Sequence, residues 1–101
     1  MTYKLIVSKD VHFDIDGIVN YMVNKLQNQT AAVDFLDDVE KSYKNIIQNP
    51  MMYSSCDDER MKGYRKIPIK NYLILYSVDE KQKTVTVIRI IYGGRNYVEL
   101  V

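Results

Sequence analysis

The chain has 101 residues, of which 47% are hydrophobic and 27% charged, as in a soluble folded domain; this composition excludes wholesale disorder. We expect one domain over residues 1–101. The net charge of +1 conceals an asymmetry, because residues 60–101 carry nine Lys or Arg against three acids and residues 1–59 carry five against ten. A basic half of this kind favours contact with an anionic partner.

The same composition argues against a membrane or secreted protein. No apolar run approaches the ~20 residues that span a bilayer, and the first residues lack the apolar stretch of a signal peptide. One cysteine, Cys56, cannot form an internal disulfide. The sequence therefore predicts a cytoplasmic location and no membrane partner.

The first half of the chain predicts one strand and two helices. Residues 3–7 are apolar and β-branched, which predicts a strand, and Ser8 predicts the N-cap of a helix that runs to about Asn28. Gly17 within that helix costs roughly 1 kcal/mol relative to alanine, which indicates a close contact there. Thr30 predicts the N-cap of a second helix, which Pro50 ends. The apolar stripe of that helix contains Ala32, Val33, Leu36, Val39, Tyr43, Ile46 and Ile47.

The last third predicts three consecutive strands over residues 64–69, 72–78 and 85–92, after a loop at 51–62. Lys70 and Asn71 predict a tight turn, and residues 79–83 a longer hairpin. The strand at 72–78 is apolar on both faces and is predicted to be central, whereas Pro68 lacks a backbone donor and favours an edge. The sequence thus predicts an α+β fold with an N-terminal strand, an antiparallel helical hairpin, and three antiparallel strands in one mainly antiparallel sheet.

These elements carry landmarks along nearly the whole chain that resemble the RelE/ParE superfamily of bacterial toxins. The landmark segments are residues 8–21, 32–50, 63–78 and 87–96. The resemblance implies a small growth-inhibiting protein of a type II toxin–antitoxin system, silenced by a cognate antitoxin and acting without a cofactor. It also implies two alternative targets, since RelE-like members cleave messenger RNA in the ribosome and ParE-like members inhibit DNA gyrase.

A RelE-like activity requires a set of residues that this chain holds incompletely. Cleavage through the 2′-hydroxyl needs a base, charge neutralisation at the phosphate and an acid for the leaving oxygen. Leu73 stands where RelE-like members have a phosphate-contacting arginine, and His12, the single histidine, excludes a two-histidine mechanism. No residues show metal-ligand spacing. If the chain is a metal-independent ribonuclease, the resemblance implies Arg65, Lys66, Arg95 and Tyr97 as its catalytic residues, with Tyr92 as an alternative to Tyr97.

The gap at Leu73 favours the ParE-like branch, so we expect a toxin that binds gyrase. The alternatives are the ribosome-dependent endoribonuclease and a weak or inactive relative that acts only as an antitoxin-binding module. For Arg89, the other interpretation is a structural ion pair with a helix carboxylate such as Asp34 or Asp38. The expected target-binding residues are Arg65, Lys66, Arg89, Tyr92 and Arg95, with the helices left for the antitoxin.

Overall fold

The computed structural model describes residues 2–53 and 63–93 of the chain. Its elements follow the predicted order of one strand, two helices and three strands, with a π-helical turn at the end of the first helix. The α+β class is therefore confirmed. The elements are β1 (Lys4–Val7), α1 (Lys9–Asn20), a π-helical turn (Tyr21–Lys25), α2 (Gln29–Gln48), β2 (Tyr64–Ile69), β3 (Tyr72–Asp79) and β4 (Thr84–Tyr92).

The four strands form one sheet in the order β1-β4-β3-β2. The pairs β2–β3 and β3–β4 are antiparallel, and β1 lies parallel to β4, so the predicted, mainly antiparallel sheet is confirmed. Pro68 lies on the edge strand β2, where a missing N–H costs no ladder bond. The apolar strand β3 lies between β4 and β2, as its two apolar faces predict.

The first helix begins where the sequence predicts but is held differently. Ser8 is the N-cap of α1, yet its hydroxyl does not cap the helix. The Ser8 Oγ donates instead to the carbonyl oxygen of Ile88 at 2.8 Å, which joins the start of α1 to β4. α1 ends at Asn20 and passes into the π-helical turn, so the regular helix is shorter than predicted.

The second helix starts two residues earlier than predicted. Its N-cap is Asn28 rather than Thr30, and the Asn28 Oδ1 accepts a hydrogen bond from the Ala31 amide at 3.0 Å. Asn is at least as good an N-cap as Thr, so residue type alone did not exclude the earlier position. The helix ends at Gln48, directly before Asn49 and Pro50, as predicted.

The core lies between α2 and the sheet. α2 buries Ala32, Phe35, Val39, Ser42 and Ile46, which recur at spacings of three and four. Val33 and Leu36 were predicted for this face but remain 57% and 41% exposed. Phe35 lies in the core instead, where its ring packs edge-on against Tyr72 with 5.4 Å between centroids.

None of the helices in the described part of the chain is long and apolar enough to cross a bilayer. The predicted loop at 51–62 lies outside the described residues from position 54 onward, and Cys56 lies there with it.

Candidate functional site

Three residues form a row across the sheet that contains two of the predicted target-binding cations. Lys66 of β2 pairs with Leu75 of β3, which pairs in turn with Arg89 of β4. Leu75 is fully buried, so the two cations flank an apolar position. Arg65 pairs with Tyr76 and therefore lies on the opposite face of β2 from Lys66, because neighbouring strand residues alternate in direction.

Arg65 holds the segment that follows α2 against the sheet. Its Nη1 donates to the carbonyl oxygen of Tyr53 at 2.6 Å. Beside it, the hydroxyl of the fully buried Tyr76 donates to the carbonyl oxygen of Pro50 at 2.7 Å. Burial raises the pKa of Tyr76 to about 12, and the charge of Arg65 opposes part of that rise. Two buried or half-buried donors thus satisfy two carbonyls that would otherwise lose their water.

Arg89 forms a bidentate ion pair with Asp14 of α1, so the predicted carboxylates Asp34 and Asp38 are the wrong partners. The Arg89 Nε lies 2.8 Å from Asp14 Oδ2, and the Nη2 lies 3.0 Å from Oδ1. The two side chains are only 22% and 13% exposed. The hydrogen bond to Asp14 raises the pKa of Arg89, while burial opposes the rise.

Asp14 also fixes a β-bulge in β4. The ladder shifts so that Val87 faces Tyr76 and Arg89 faces Leu75, which leaves Ile88 as the extra residue. Asp14 Oδ2 accepts a further hydrogen bond from the Ile90 amide at 3.0 Å. One carboxylate therefore takes three hydrogen bonds from β4, just beyond the point where β1 ends.

Beyond the end of β1 lies a groove of about 820 Å³ between α1, the π-helical turn, the start of α2 and the ends of β3 and β4. Phe13 is 73% exposed and Tyr21 is 49% exposed, although both are large and apolar. Such exposure of large apolar side chains in one place is typical of a binding surface. We call this the aromatic groove, and its apolar walls include Phe13, Ile18, Tyr21, Leu26, Tyr72 and Tyr92.

Tyr92, one of the predicted target-binding residues, lies at the rim of the aromatic groove and is half exposed. Its ring packs edge-on against Tyr72 with 6.1 Å between centroids. Burial, and then the nearby phenols of Tyr21 and Tyr92, raise the pKa of Tyr72. The groove thus brings together Tyr21 of the π-helical turn, Tyr72 of β3 and Tyr92 of β4.

Gly17 opens the floor of this groove. A Cβ at this helical position would meet no heavy atom of the described residues within 4 Å, so the close contact expected from the sequence is absent. Gly17 lines the aromatic groove instead, and the missing side chain widens it.

Leu73, the residue that departs from the RelE-like pattern, lies in an apolar row. It pairs with Pro68 of β2 and with Ile91 of β4. No cation from these three strands occupies that row. The apolar character of the position therefore extends to its cross-strand neighbours.

Two of the predicted site residues, Arg95 and Tyr97, lie outside the described residues. His12 is exposed on α1 and outside the aromatic groove. Within residues 2–53 and 63–93, no three His, Cys, Asp or Glu side chains come together as a metal site would require.

A sequence model of one family matches most of the chain. The family is described as the ParE toxin of the type II toxin–antitoxin system parDE, and the match covers residues 5–97. The chain belongs to the ParE toxin family. No curated protein sequence matches it significantly.

Solved structures from both branches of the superfamily share the fold of this ParE family member. A protein of the chromosomal ParDE system of Pseudomonas aeruginosa is 18% identical, with a TM-score of 0.72 over 90% of this chain and 96% of that one. An arginine double mutant of Escherichia coli RelE in the free state is 16% identical, with a TM-score of 0.69 over 99% and 93%. A chain of the intact E. coli RelBE complex is 16% identical, with a TM-score of 0.64 over 92% and 99%. At these identities the likeness shows a common fold.

Sequence reasoning missed Asp14 and the exposed Phe13. Asp14 directly precedes the apolar Ile15, so an acidic residue beside the inner stripe of α1 was the available signal. Phe13 gave a signal as well, because it falls outside the apolar stripe of the first helical segment, which consists of Ile15, Ile18, Val19, Met22, Val23 and Leu26.

Proposed function

We propose that this ParE family member inhibits growth by binding DNA gyrase and that a cognate antitoxin neutralises it. The family match over residues 5–97 carries the type II toxin assignment. The choice of gyrase over RNA rests on Leu73 and on the internal contacts of the sheet cations.

An RNA-cleaving site needs cations that are free to neutralise a phosphate. Leu73 and its row partners Pro68 and Ile91 provide none. Arg89 is already bound to Asp14, and Arg65 donates to the Tyr53 carbonyl. Because these two arginines already have partners within the protein, fewer of the residues expected for RNA cleavage are available. The surface is therefore better suited to binding a protein than to cleaving RNA.

Of the target-binding residues expected from the sequence (Arg65, Lys66, Arg89, Tyr92 and Arg95), we propose Lys66, Tyr92 and Arg95 as direct contacts of gyrase. Arg65 lies on the opposite face of β2 and Arg89 is paired with Asp14, so we propose that these two support that surface from within the fold. Lys66 is supported by its place beside buried Leu75 and by its ammonium group, which makes no hydrogen bond or ion pair with another described residue. The antitoxin would cover the helices, because Val33 and Leu36 leave apolar surface exposed on α2. Leu36 borders a second groove with Ile15, Val19 and Val23, which suits the apolar face of a partner helix.

Two assays with purified toxin separate the candidate targets. Loss of gyrase supercoiling with messenger RNA left intact in a translating extract is the expected result. Messenger RNA cut only in the translating extract would instead establish the ribonuclease. Antitoxin binding without either activity would indicate an antitoxin-binding module.

The target surface is tested by growth arrest at equal expression. Lys66→Ala and Arg95→Ala should both weaken arrest, whereas Lys81→Ala in the exposed β3–β4 turn serves as the matched control. Arg65→Ala belongs in the series together with a thermal unfolding measurement, since its contact with Tyr53 also supports the fold. If Lys66→Ala, Arg65→Ala and Arg95→Ala all retain full toxicity, the proposed surface is wrong.

A further inference from the structure

Three residues of the first helical segment form a row along the aromatic groove. Phe13, Gly17 and Tyr21 all line that groove, and their spacing of four places them on successive turns of one helix face. Phe13 is mostly exposed and Tyr21 is half exposed. Gly17 leaves a notch between the two rings, because it has no side chain. We call this row the α1 ridge, and it reads ring, notch, ring in either direction.

A row with this pattern is complementary to a second copy of itself. When two such helices cross in antiparallel directions with Gly17 against Gly17, Phe13 of each copy faces Tyr21 of the other. Helices that pack through rows of residues four apart cross at about 50°. Because glycine has no side chain, it lets the two backbones approach closely at the crossing point. A twofold arrangement of this kind buries the same patch on both copies.

The charges around the α1 ridge do not oppose such a contact. Asp14 is neutralised by Arg89, and Asp16 lines the separate groove against Leu36 of α2. Lys70 lies on the far rim of the aromatic groove, in the β2–β3 turn. Like charges that face each other across an interface disfavour binding. The centre of the twofold contact brings no such pair together.

The exposed apolar area is close to what a stable dimer needs. Phe13 is mostly exposed, and Tyr21, Leu26 and Tyr92 are each about half exposed around the same groove. Aromatic side chains bury about 150–250 Å² each, so these four residues expose roughly 450 Å² per copy. Two copies therefore supply roughly 900 Å² of apolar surface, against a total of about 1,200 Å² in the smallest stable interfaces. Polar residues around the groove can supply the remainder.

From these observations we infer that two copies of this chain associate through the α1 ridge and the aromatic groove, with a twofold axis at Gly17. The inference does not depend on the target of the toxin. It also leaves free the groove between α1 and α2 that is proposed for the antitoxin, since that groove is lined by other residues. Under the proposed function the dimer would cover Tyr92, so only the monomer would present the whole gyrase-binding surface.

Sedimentation equilibrium of the full-length toxin measures the association. We expect a dimer with a dissociation constant in the micromolar range. Phe13→Ala removes a ring that is mostly exposed, so the monomer should stay folded while the dissociation constant rises at least tenfold. Gly17→Leu fills the notch at a position where an added Cβ meets no described heavy atom within 4 Å, and it should have the same effect. Val33→Ala truncates an exposed apolar residue of α2 and serves as the matched control.

A cysteine at Gly17 tests the twofold axis directly, because a residue on that axis meets its own copy. In a Cys56→Ser background, Gly17→Cys should form a disulfide between two chains when oxidised glutathione is reduced by the two thiols. A disulfide needs Cα atoms less than about 7 Å apart, which the proposed crossing provides. His12→Cys lies exposed on the same helix but outside the groove, and it should form the disulfide at least tenfold more slowly.

Several results would overturn the inference. A wild-type toxin that stays monomeric throughout the micromolar range contradicts it, and so do equal disulfide rates at positions 12 and 17. If Val33→Ala dissociates the dimer and Phe13→Ala does not, the interface lies on α2 instead. If the wild type is monomeric and Phe13→Ala weakens only antitoxin binding, the antitoxin is the occupant of the groove.

The inference and the proposed function can fail separately. A toxin that dimerises through Gly17 but leaves gyrase supercoiling intact contradicts only the target proposal. A toxin that inhibits gyrase but remains monomeric contradicts only the dimer.

Discussion

The two ends of the sheet are built in opposite ways. At the end near Tyr76, the side chains of Arg65 and Tyr76 donate hydrogen bonds to the carbonyl oxygens of Tyr53 and Pro50. These bonds hold the segment that follows α2 against the sheet. At the end near Tyr92, β1 has stopped and the aromatic groove leaves Phe13 and Tyr21 exposed. The comparison indicates that the first end stabilises the fold and that the second is available for partners.

The largest loss of stability is expected when the Asp14 carboxylate, which joins α1 to β4 near the aromatic groove, is removed. Asp14→Ala would leave the Arg89 guanidinium and the Ile90 amide without their carboxylate partner, in a setting where both side chains of the ion pair are mostly buried. We expect the free energy of unfolding to fall by about 2–3 kcal/mol, as for hydrogen bonds to charged groups. Urea unfolding measures it. Asp16→Ala, an exposed neighbour on α1, should change stability little, and an equal loss in both variants would contradict the anchoring role.

A smaller loss is expected at the closed end. Tyr76→Phe removes the donor to the Pro50 carbonyl and should cost about 1–2 kcal/mol of unfolding free energy. The variant should also change the alkaline limit of stability. The folded pKa of Tyr76 is raised to about 12, so the unfolded phenol ionises first, near pH 10. Stability is therefore retained below pH 10 and lost as the pH rises toward 12.

Thermal unfolding across this pH range provides the check. The alkaline loss should be smaller in Tyr76→Phe than in the wild type. An identical alkaline profile in the two proteins would show that the Tyr76 hydroxyl does not couple to folding.

The smallest effect, of opposite sign, is expected at Tyr43. Its hydroxyl is buried and finds no hydrogen-bond partner among the described residues, and burial raises its pKa to about 12. Tyr43→Phe removes an unsatisfied polar group and should leave stability unchanged or raise it by up to about 1 kcal/mol. Chemical unfolding of the Tyr43→Phe and Tyr76→Phe proteins side by side tests whether hydrogen bonding separates the two phenols. A comparable loss in both would mean that it does not.

The strand pattern was predictable because its signals are local. Runs of β-branched and aromatic residues bounded by turn residues predicted the three C-terminal strands, and Pro68 was enough to place β2 at an edge. The helix boundary at Gln48 followed from the Asn-Pro pair for the same reason.

The errors arose where distant parts of the chain decide the outcome. Val33 and Leu36 have the hydrophobicity of core residues, and only the rotation of α2 against the sheet leaves them outside. The partner of Arg89 depends on the bulge at Ile88, which no periodicity announces. Asp14 therefore replaced Asp34 and Asp38 for a geometric reason that the sequence does not express.

The candidate site was also predictable only in part. Lys66 and Tyr92 could be named from the sequence because basic and aromatic residues on strands are visible there. The aromatic groove could not, because its walls come from α1, β3 and β4 and meet only after folding.

The short length of β1 has a consequence for how α1 is held. β1 has four residues and β4 has nine, so beyond Val87 the outer side of β4 has α1 beside it in place of a strand. There the Ser8 hydroxyl and the Asp14 carboxylate take the positions that backbone groups of a longer β1 would have. The position of α1 along β4 therefore depends on two side chains, and a single substitution can change it in a way that no single substitution changes a backbone ladder.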